Sequence, residues 1–124
     1  MIKYLIFFAI FTLLIPSVGL PQKADPTIGD FKAQGEFRAV KLTWKANGEL
    51  KKEMAVQILR ADTDEDGAYK EVAVVEITPG QQEYKYVDKS MRAEAKYYYK
   101  LVVKETNESL GPIAARPFFS HPST

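Results

Sequence analysis

One short acidic run contains residue types that could bind a metal ion. Asp62, Asp64 and Asp66 alternate in the segment DTDEDG, and Gly67 follows them. This pattern matches the start of a calcium-binding loop, in which three carboxylates and a glycine-permitted turn surround the ion. The twelfth position of such a loop needs a bidentate acid, but Ala73 stands there. The alternative is a hairpin turn in which Asp and Gly supply turn chemistry and the charges stay hydrated.

Residues for nucleophilic or acid–base catalysis are scarce. The chain contains one histidine, His121, in a polar segment, and it contains no cysteine. A Ser–His or Cys–His pair needs an oriented base, so neither pair has credible members here. We therefore predict that the protein is not an enzyme and needs no cofactor, with calcium as the one ion to consider.

The balance between basic and acidic residues argues against a nucleic acid as the partner. The chain carries 17 Lys and Arg against 16 Asp and Glu. A nucleic-acid partner calls for a clustered excess of basic residues, so we do not expect one. The lack of cysteine means that an apolar core must stabilise the fold without disulfides, which a domain of about 100 residues can do.

The first residues predict a targeting segment. Lys3 supplies a positive start, Tyr4 to Ile15 is an apolar run, and Pro16 ends it. Small residues before Leu20 predict a signal helix cut after Gly19, or as late as residue 25. The run is shorter than the roughly 20 apolar residues of a membrane span, so an uncleaved membrane anchor is the poorer alternative. We expect a protein that is secreted or periplasmic.

Alternating apolar residues predict strands in the rest of the chain. Residues two apart in a strand share one face, and two stripes have this spacing. They are Val40, Leu42 and Trp44 in one stripe, and Tyr97, Tyr99, Leu101 and Val103 in the other. Because each apolar face must pack against another layer, the stripes favour a sandwich of two sheets.

Seven predicted strands with turn residues between them are typical of an all-β sandwich. They are a first strand around Ile28 and Phe31, followed by residues 38–45, 53–60, 69–77, 83–88, 96–104 and 113–119. Gly35 is expected in the first turn and residues 107–112 in the last. The predicted organisation is a linker over 20–27, one sandwich over 28–119 and a tail over 120–124.

The spacing of several residues resembles the E–F region of fibronectin type III domains, especially those of bacterial exported proteins. These residues are Tyr86, Asp88, Met91, Tyr97, Tyr99 and Leu101. The resemblance implies a "tyrosine corner" at Tyr97, whose hydroxyl bonds to upstream backbone, with Met91 as the apolar residue of the preceding turn. The segment Glu94–Lys96 lacks the glycine often seen before that tyrosine.

The resemblance covers about Pro26 to Phe119 and implies an immunoglobulin-like sandwich. The implied structural core is Trp44, Ile58, Met91, Tyr97, Tyr99 and Leu101. Domains of this kind usually bind proteins or polysaccharides, or space other domains. We therefore expect an exported, non-catalytic binding module. The alternatives are a structural subunit of an exported complex and a calcium-assisted adhesion module.

Four further aromatic residues leave more than one arrangement open. Tyr84 and Tyr98 could face outward, where tyrosine suits carbohydrate or protein contacts, or they could cover neighbouring strands. In the pair Phe118–Phe119, one ring is expected to cap the core while the other adds to a partner surface.

Overall fold

The computed structural model describes residues 26–62 and 68–120, which contain seven β-strands. The strands are β1 (Ile28–Glu36), β2 (Ala39–Ala46), β3 (Met54–Ala61), β4 (Lys70–Ile77), β5 (Glu83–Asp88), β6 (Tyr97–Val103) and β7 (Glu108–Ala115). Within these residues, no helix is long and apolar enough to cross a membrane. The predicted signal helix, the linker up to residue 25 and the tail from residue 121 lie outside the described residues.

The strands form two antiparallel sheets. β1, β2 and β5 form a three-stranded sheet with β2 in the middle, and the four-stranded sheet has the order β4-β3-β6-β7. The chain therefore changes sheet after β2, after β4 and after β5. Such crossing connections are typical of immunoglobulin-like sandwiches. The prediction of a seven-stranded all-β sandwich is confirmed.

The core lies between the two sheets and is built from alternate residues of each strand. Every second residue from Tyr97 to Val103 is buried, and the same holds from Val40 to Ala46. This alternation arises because successive side chains of a strand point to opposite faces. Each large apolar side chain that becomes fully buried contributes about 1.5–3 kcal/mol.

The outward orientation considered for Tyr84 is wrong. Its Cα lies opposite that of Trp44 in the β2–β5 register, so both side chains share the inner face, and their ring centroids are 6.0 Å apart. The Tyr84 hydroxyl accepts a hydrogen bond from the Thr78 amide and donates to the carbonyl of Gln81. A tyrosine can lie in the core here because its polar tip reaches loop backbone. Tyr98 is half-buried.

The first hairpin also differs from the expectation. Gly35 lies inside β1, where it pairs with Val40, and the turn consists of Phe37 and Arg38. A Cβ at Gly35 would collide with the backbone carbonyl of Arg116. Glycine is therefore needed here for the close approach of two backbone segments and not for a turn.

The last strand begins at Glu108, earlier than predicted, because it pairs with Val103 directly across a tight turn. Pro112 lies within this edge strand, where it follows Gly111 at a φ of 99° and a register shift in the β6–β7 pairing. A bulged edge strand tolerates a proline that cannot donate to the ladder. After β7 the chain leaves the sheet, and Phe118 forms a single parallel bridge with Phe37.

The start of the sandwich is fixed to β7. The amide and hydroxyl of Thr27 donate to the two carboxylate oxygens of Glu108 at 2.6 and 2.5 Å. Burial raises the pKa of Glu108, but these hydrogen bonds outweigh it and lower the pKa below its ordinary value. A charged acceptor for both donors ties β1 and β7 together at one edge of the two sheets.

Candidate functional site

All six residues that the sequence assigns to the core are buried: Trp44, Ile58, Met91, Tyr97, Tyr99 and Leu101. The Tyr97 hydroxyl donates to the carbonyl of Ala93 at 3.1 Å, which is the upstream backbone bond of a tyrosine corner. The corner therefore forms although no glycine precedes it. These residues hold the two sheets together and do not form a binding site.

A cluster of charged and polar side chains links the two sheets. Asp88, at the end of β5, is 1% exposed. One carboxylate oxygen accepts hydrogen bonds from the Tyr99 hydroxyl at 2.8 Å and from Arg60 Nη1 at 2.9 Å. The other accepts from the amide and hydroxyl of Ser90 at 2.9 and 2.6 Å. Because Arg60 and Tyr99 belong to the four-stranded sheet, the carboxylate joins one sheet to the other.

The hydrogen bonds determine the charge states in this cluster. Burial raises the pKa of Asp88, but the donors of Ser90, Tyr99 and Arg60 outweigh it and hold the pKa below its ordinary value. Burial lowers the pKa of Arg60, whereas the bond to Asp88 raises it, and the net change is upward. Burial and then the negative charge of Asp88 raise the pKa of Tyr99 far above its ordinary value. The cluster is therefore an ion pair with a neutral phenol at pH 7.

Sequence reasoning missed this cluster, although a signal for it existed. Tyr84, Tyr86 and Asp88 alternate, which places the acid on the same face as two aromatic rings. A buried acid needs a partner, and Arg60 ends another predicted strand. The register that brings the two side chains together is not visible in the sequence.

The candidate calcium loop falls mostly outside the described residues. Asp62 is exposed directly after β3, whereas Asp64 and Asp66 lie in the segment 63–67, which is not described. In the described part of the chain, no group of three His, Cys, Asp or Glu side chains could hold a metal ion. The calcium site stays a prediction from the sequence.

The outer face of the three-stranded sheet carries a hollow of about 540 Å³. Thr43 lies between Lys32 and Lys85 in the strand register, and Lys45 adds a third cation to the lining. Asp30 lies 3.7 Å from Lys32 and 3.5 Å from Lys45, so part of the charge is compensated. Exposed lysine side chains of this kind are flexible and hydrated, and the hollow does not define a ligand.

Aromatic rings and one arginine cover the end of the sandwich at the β1–β2 turn. We call Phe37, Arg38, Phe118 and Phe119 the aromatic cluster. Phe37 is 39% exposed and Phe118 is 36% exposed, and their ring centroids are 6.1 Å apart. Phe119 packs against the core. As expected, one of the two C-terminal rings packs against the core, and Phe118 lies at the surface; that Phe118 adds to a partner surface stays a prediction.

Hydrogen bonds from two directions fix the aromatic cluster. The Phe118 amide donates to the carbonyl of Glu36 at 3.1 Å, and the Arg38 amide donates to the carbonyl of Phe118 at 2.8 Å. The Phe119 amide donates to the Glu94 carboxylate at 3.0 Å. Residues 116–119 are thus held between the β1–β2 turn and the β5–β6 loop, so the exposed rings have a defined position.

Arg38 is held by rings and not by an acid. Its guanidinium carbon lies 5.5 Å from the ring centroids of both Phe37 and Phe119, within the range of cation–π contact. Among residues 26–62 and 68–120, no carboxylate forms an ion pair with it. Its φ is 57°, in the left-handed region that a turn usually fills with glycine or asparagine.

No family model and no curated protein matches this sequence. Among solved structures, the chain is similar to an Fn3-like protein from Clostridium thermocellum, with 17% identity, a TM-score of 0.48, and coverage of 82% of this chain and 100% of that one. It is also similar to pectate lyase Pel3 from Pectobacterium carotovorum, with 16% identity, a TM-score of 0.47, and coverage of 70% of this chain and 26% of that one. The chain therefore spans about a quarter of the length of that lyase. The fold assignment rests on the strands and sheets described above.

Proposed function

We propose that this protein is an exported, non-catalytic interaction module that binds another protein through the aromatic cluster. The observation that supports the proposal is the exposed pair of Phe37 and Phe118, fixed by backbone hydrogen bonds at one end of the sandwich. Large aromatic side chains in fixed positions lose little freedom on binding and are enriched at the centre of protein interfaces. The apolar run after Lys3 supports export.

We also propose that the chain is a fibronectin type III-like module. The crossing order of the strands and the hydrogen bond of Tyr97 to Ala93 support this assignment. In such a sandwich, binding surfaces lie on loops, turns and strand edges, and the aromatic cluster lies on a turn and the segment after the last strand.

A protein is favoured over a polysaccharide as the partner. Tyr84 and Tyr98, the residues considered for carbohydrate stacking, are buried in the core and half-buried, respectively. The exposed rings are instead phenylalanines tilted by 53° to each other, which offer no flat platform and no polar tip. A structural subunit of an exported complex would use the same surface in a permanent assembly. The calcium-assisted adhesion module stays an alternative that depends on the acidic loop.

Crosslinking in intact cells tests the proposal. The tagged full chain is expressed in its source cells, crosslinked and recovered, and the proteins attached to it are identified by mass spectrometry. The same spectra give the N-terminus and so test cleavage after Gly19. A partner that stays bound during purification without crosslinker would favour the permanent complex over reversible binding.

The decisive comparison uses surface variants of the same chain. Phe37→Ser and Phe118→Ser should each weaken binding to the recovered partner by roughly tenfold to a hundredfold, because each removes an aromatic contact. Val74→Ser is the matched control, since Val74 is a similarly exposed apolar residue, 42% exposed, on the four-stranded sheet. Melting temperatures establish that each variant is folded. Unchanged binding by both Phe variants would contradict the proposal.

A further inference from the structure

We infer that the partner presents a carboxylate beside apolar side chains, and that Arg38 binds this carboxylate. The inference rests on the proposed function, because it specifies the chemistry of the partner at the same surface. Three observations carry it: the charge of the segments around the aromatic cluster, the arrangement of Arg38 between two rings, and the backbone conformation of Arg38.

The segments that surround the aromatic cluster are basic, whereas the β3–β4 loop, which starts at the same end of the sandwich, begins with the exposed Asp62. The β1–β2 turn, the β5–β6 loop and the segment after β7 meet there, and their cationic side chains are exposed. They are Arg38, Lys89, Arg92, Lys96 and Arg116. The single acid in these three segments is Glu94, which already accepts the amide of Phe119. The charge next to the cluster therefore favours an acidic group over a basic one in the partner.

The position of the Arg38 guanidinium group suits the binding of a carboxylate. The rings of Phe37 and Phe119 hold its guanidinium group in place, so little side-chain freedom remains to be lost. A guanidinium that stacks on rings keeps its edge N–H donors available, and these match the two oxygens of a carboxylate. Since no acid of the described residues pairs with it, a partner can supply that acid. Apolar side chains next to the carboxylate would contact Phe37 and Phe118.

The backbone at Arg38 supports a role beyond folding. Its φ of 57° is unfavourable for a residue with a Cβ, and glycine would adopt it without strain. Strained residues that are held by their surroundings are often found at binding sites. The chain thus carries an arginine at a turn position where the fold by itself would favour glycine.

An acidic protein segment fits this surface better than an anionic lipid bilayer. Phe37 and Phe118 are each more than half covered and lie against neighbouring groups, whereas insertion into a bilayer needs apolar side chains that project beyond the surface.

A library of random peptides displayed on phage tests the inference even though the partner is unidentified. The full chain is immobilised, and the selected peptides should combine Asp or Glu with neighbouring aromatic or aliphatic residues. A synthetic peptide of the selected sequence should bind Arg38→Gly at least about tenfold more weakly than the unmodified protein, because a desolvated charge pair is lost. Arg38→Gly should melt at the same or a higher temperature, since glycine relaxes the turn.

The control is Asn107→Gly, which alters a left-handed residue of the β6–β7 turn at the opposite end, with a φ of 64°. It should bind the peptide normally. Selection of peptides without acidic residues, selection of none, or equal affinity for Arg38→Gly would overturn the inference. Binding to phosphatidylglycerol vesicles that depends on Arg38 would overturn it as well, in favour of a lipid partner. In the cases other than lipid binding, loss of binding to the crosslinked partner protein in the Phe37→Ser and Phe118→Ser variants would still support the proposed function.

Discussion

Trp44 has the largest of the fully buried side chains, and its Nε1 has no hydrogen-bond acceptor among the described residues. The ring lies nearly parallel to that of Tyr84, at an angle of 13°. Its apolar atoms stabilise the sandwich, whereas the buried N–H group that gives up water without a partner costs about 1–3 kcal/mol. The contribution of Trp44 is therefore one of volume and not of hydrogen bonding.

Two substitutions separate these contributions. Trp44→Ala should lower the free energy of unfolding by about 3–5 kcal/mol, because it leaves a cavity between the sheets. Since small domains have about 5–15 kcal/mol in total, this variant should be marginal or unfolded. Trp44→Phe should lower the free energy of unfolding much less, since it keeps a ring and removes the unpaired donor. Urea unfolding measures both, and a melting temperature of Trp44→Ala close to that of the unmodified protein would contradict the placement.

At the scale of elements, the segment after β7 lies across the hairpin of β1 and β2. It has one bridge to Phe37, and its close approach depends on the missing side chain at Gly35. Arg116 Nη1 also donates to the carbonyl of Glu94 at 3.1 Å. The position of Phe118, and with it the aromatic cluster, therefore depends on backbone contacts of this segment as well as on the packing of Phe119 against the core.

Gly35→Ala should displace this segment. Its Cβ would collide with the carbonyl of Arg116, so the bridge between Phe37 and Phe118 should open and the Phe118 amide should exchange its hydrogen faster. Gly48→Ala is the control, because Gly48 has a φ of 72° and open space around it. This substitution should lower the free energy of unfolding by about 1 kcal/mol and leave hydrogen exchange at Phe118 unchanged. Hydrogen exchange followed by mass spectrometry distinguishes them. Equal exchange in both variants would show that the segment does not need Gly35.

Strands are predictable from local pattern, whereas their pairing is not. The alternation from Tyr97 to Val103 fixes β6 and its inner face, because a strand repeats every two residues. The face of Tyr84 depends on its register with Trp44, which is a long-range property that the sequence does not display. The start of β7 is not predictable, because Gly111 and Pro112 are turn residues in most contexts. In this protein they lie in a bulged edge strand.

The candidate site is predictable only in part, for a related reason. Phe118 and Phe119 stand out by residue type, and one ring is expected at the surface. Their contact with Phe37 and Arg38 joins residues about 80 positions apart, and no local pattern encodes that pairing. An arginine in a left-handed turn is equally invisible before the turn is known.

At the scale of the whole molecule, the two sheets are joined by an apolar core and by the carboxylate of Asp88. A buried ion pair is costly to form but more costly to break, because removal of one partner leaves the other charge unpaired. Arg60 is 20% exposed, so the effect of breaking this pair is smaller than in a dry interior. Asp88→Asn should therefore lower the free energy of unfolding by about 1–3 kcal/mol at pH 7.

The same cluster predicts how stability depends on pH. The folded pKa of Asp88 lies below its unfolded value of about 4, so its contribution is present above that pH and is lost as pH falls through the folded pKa. The folded pKa of Tyr99 lies above its unfolded value of about 10, so its contribution is present below that pH and is lost as pH rises further. The free energy of unfolding, measured by urea titration, should therefore decrease below about pH 4 and above about pH 10.

Asp88→Asn should flatten the acid side of that profile, although Glu108, whose pKa is also lowered, keeps part of the slope. Tyr99→Phe should flatten the alkaline side, because phenylalanine has no proton to lose. Asp30→Asn is the control, since this carboxylate is exposed and its two lysine partners lie at 3.5 Å or more. An acid slope in Asp88→Asn as steep as in the control would mean that protonation of Asp88 does not govern the joining of the two sheets.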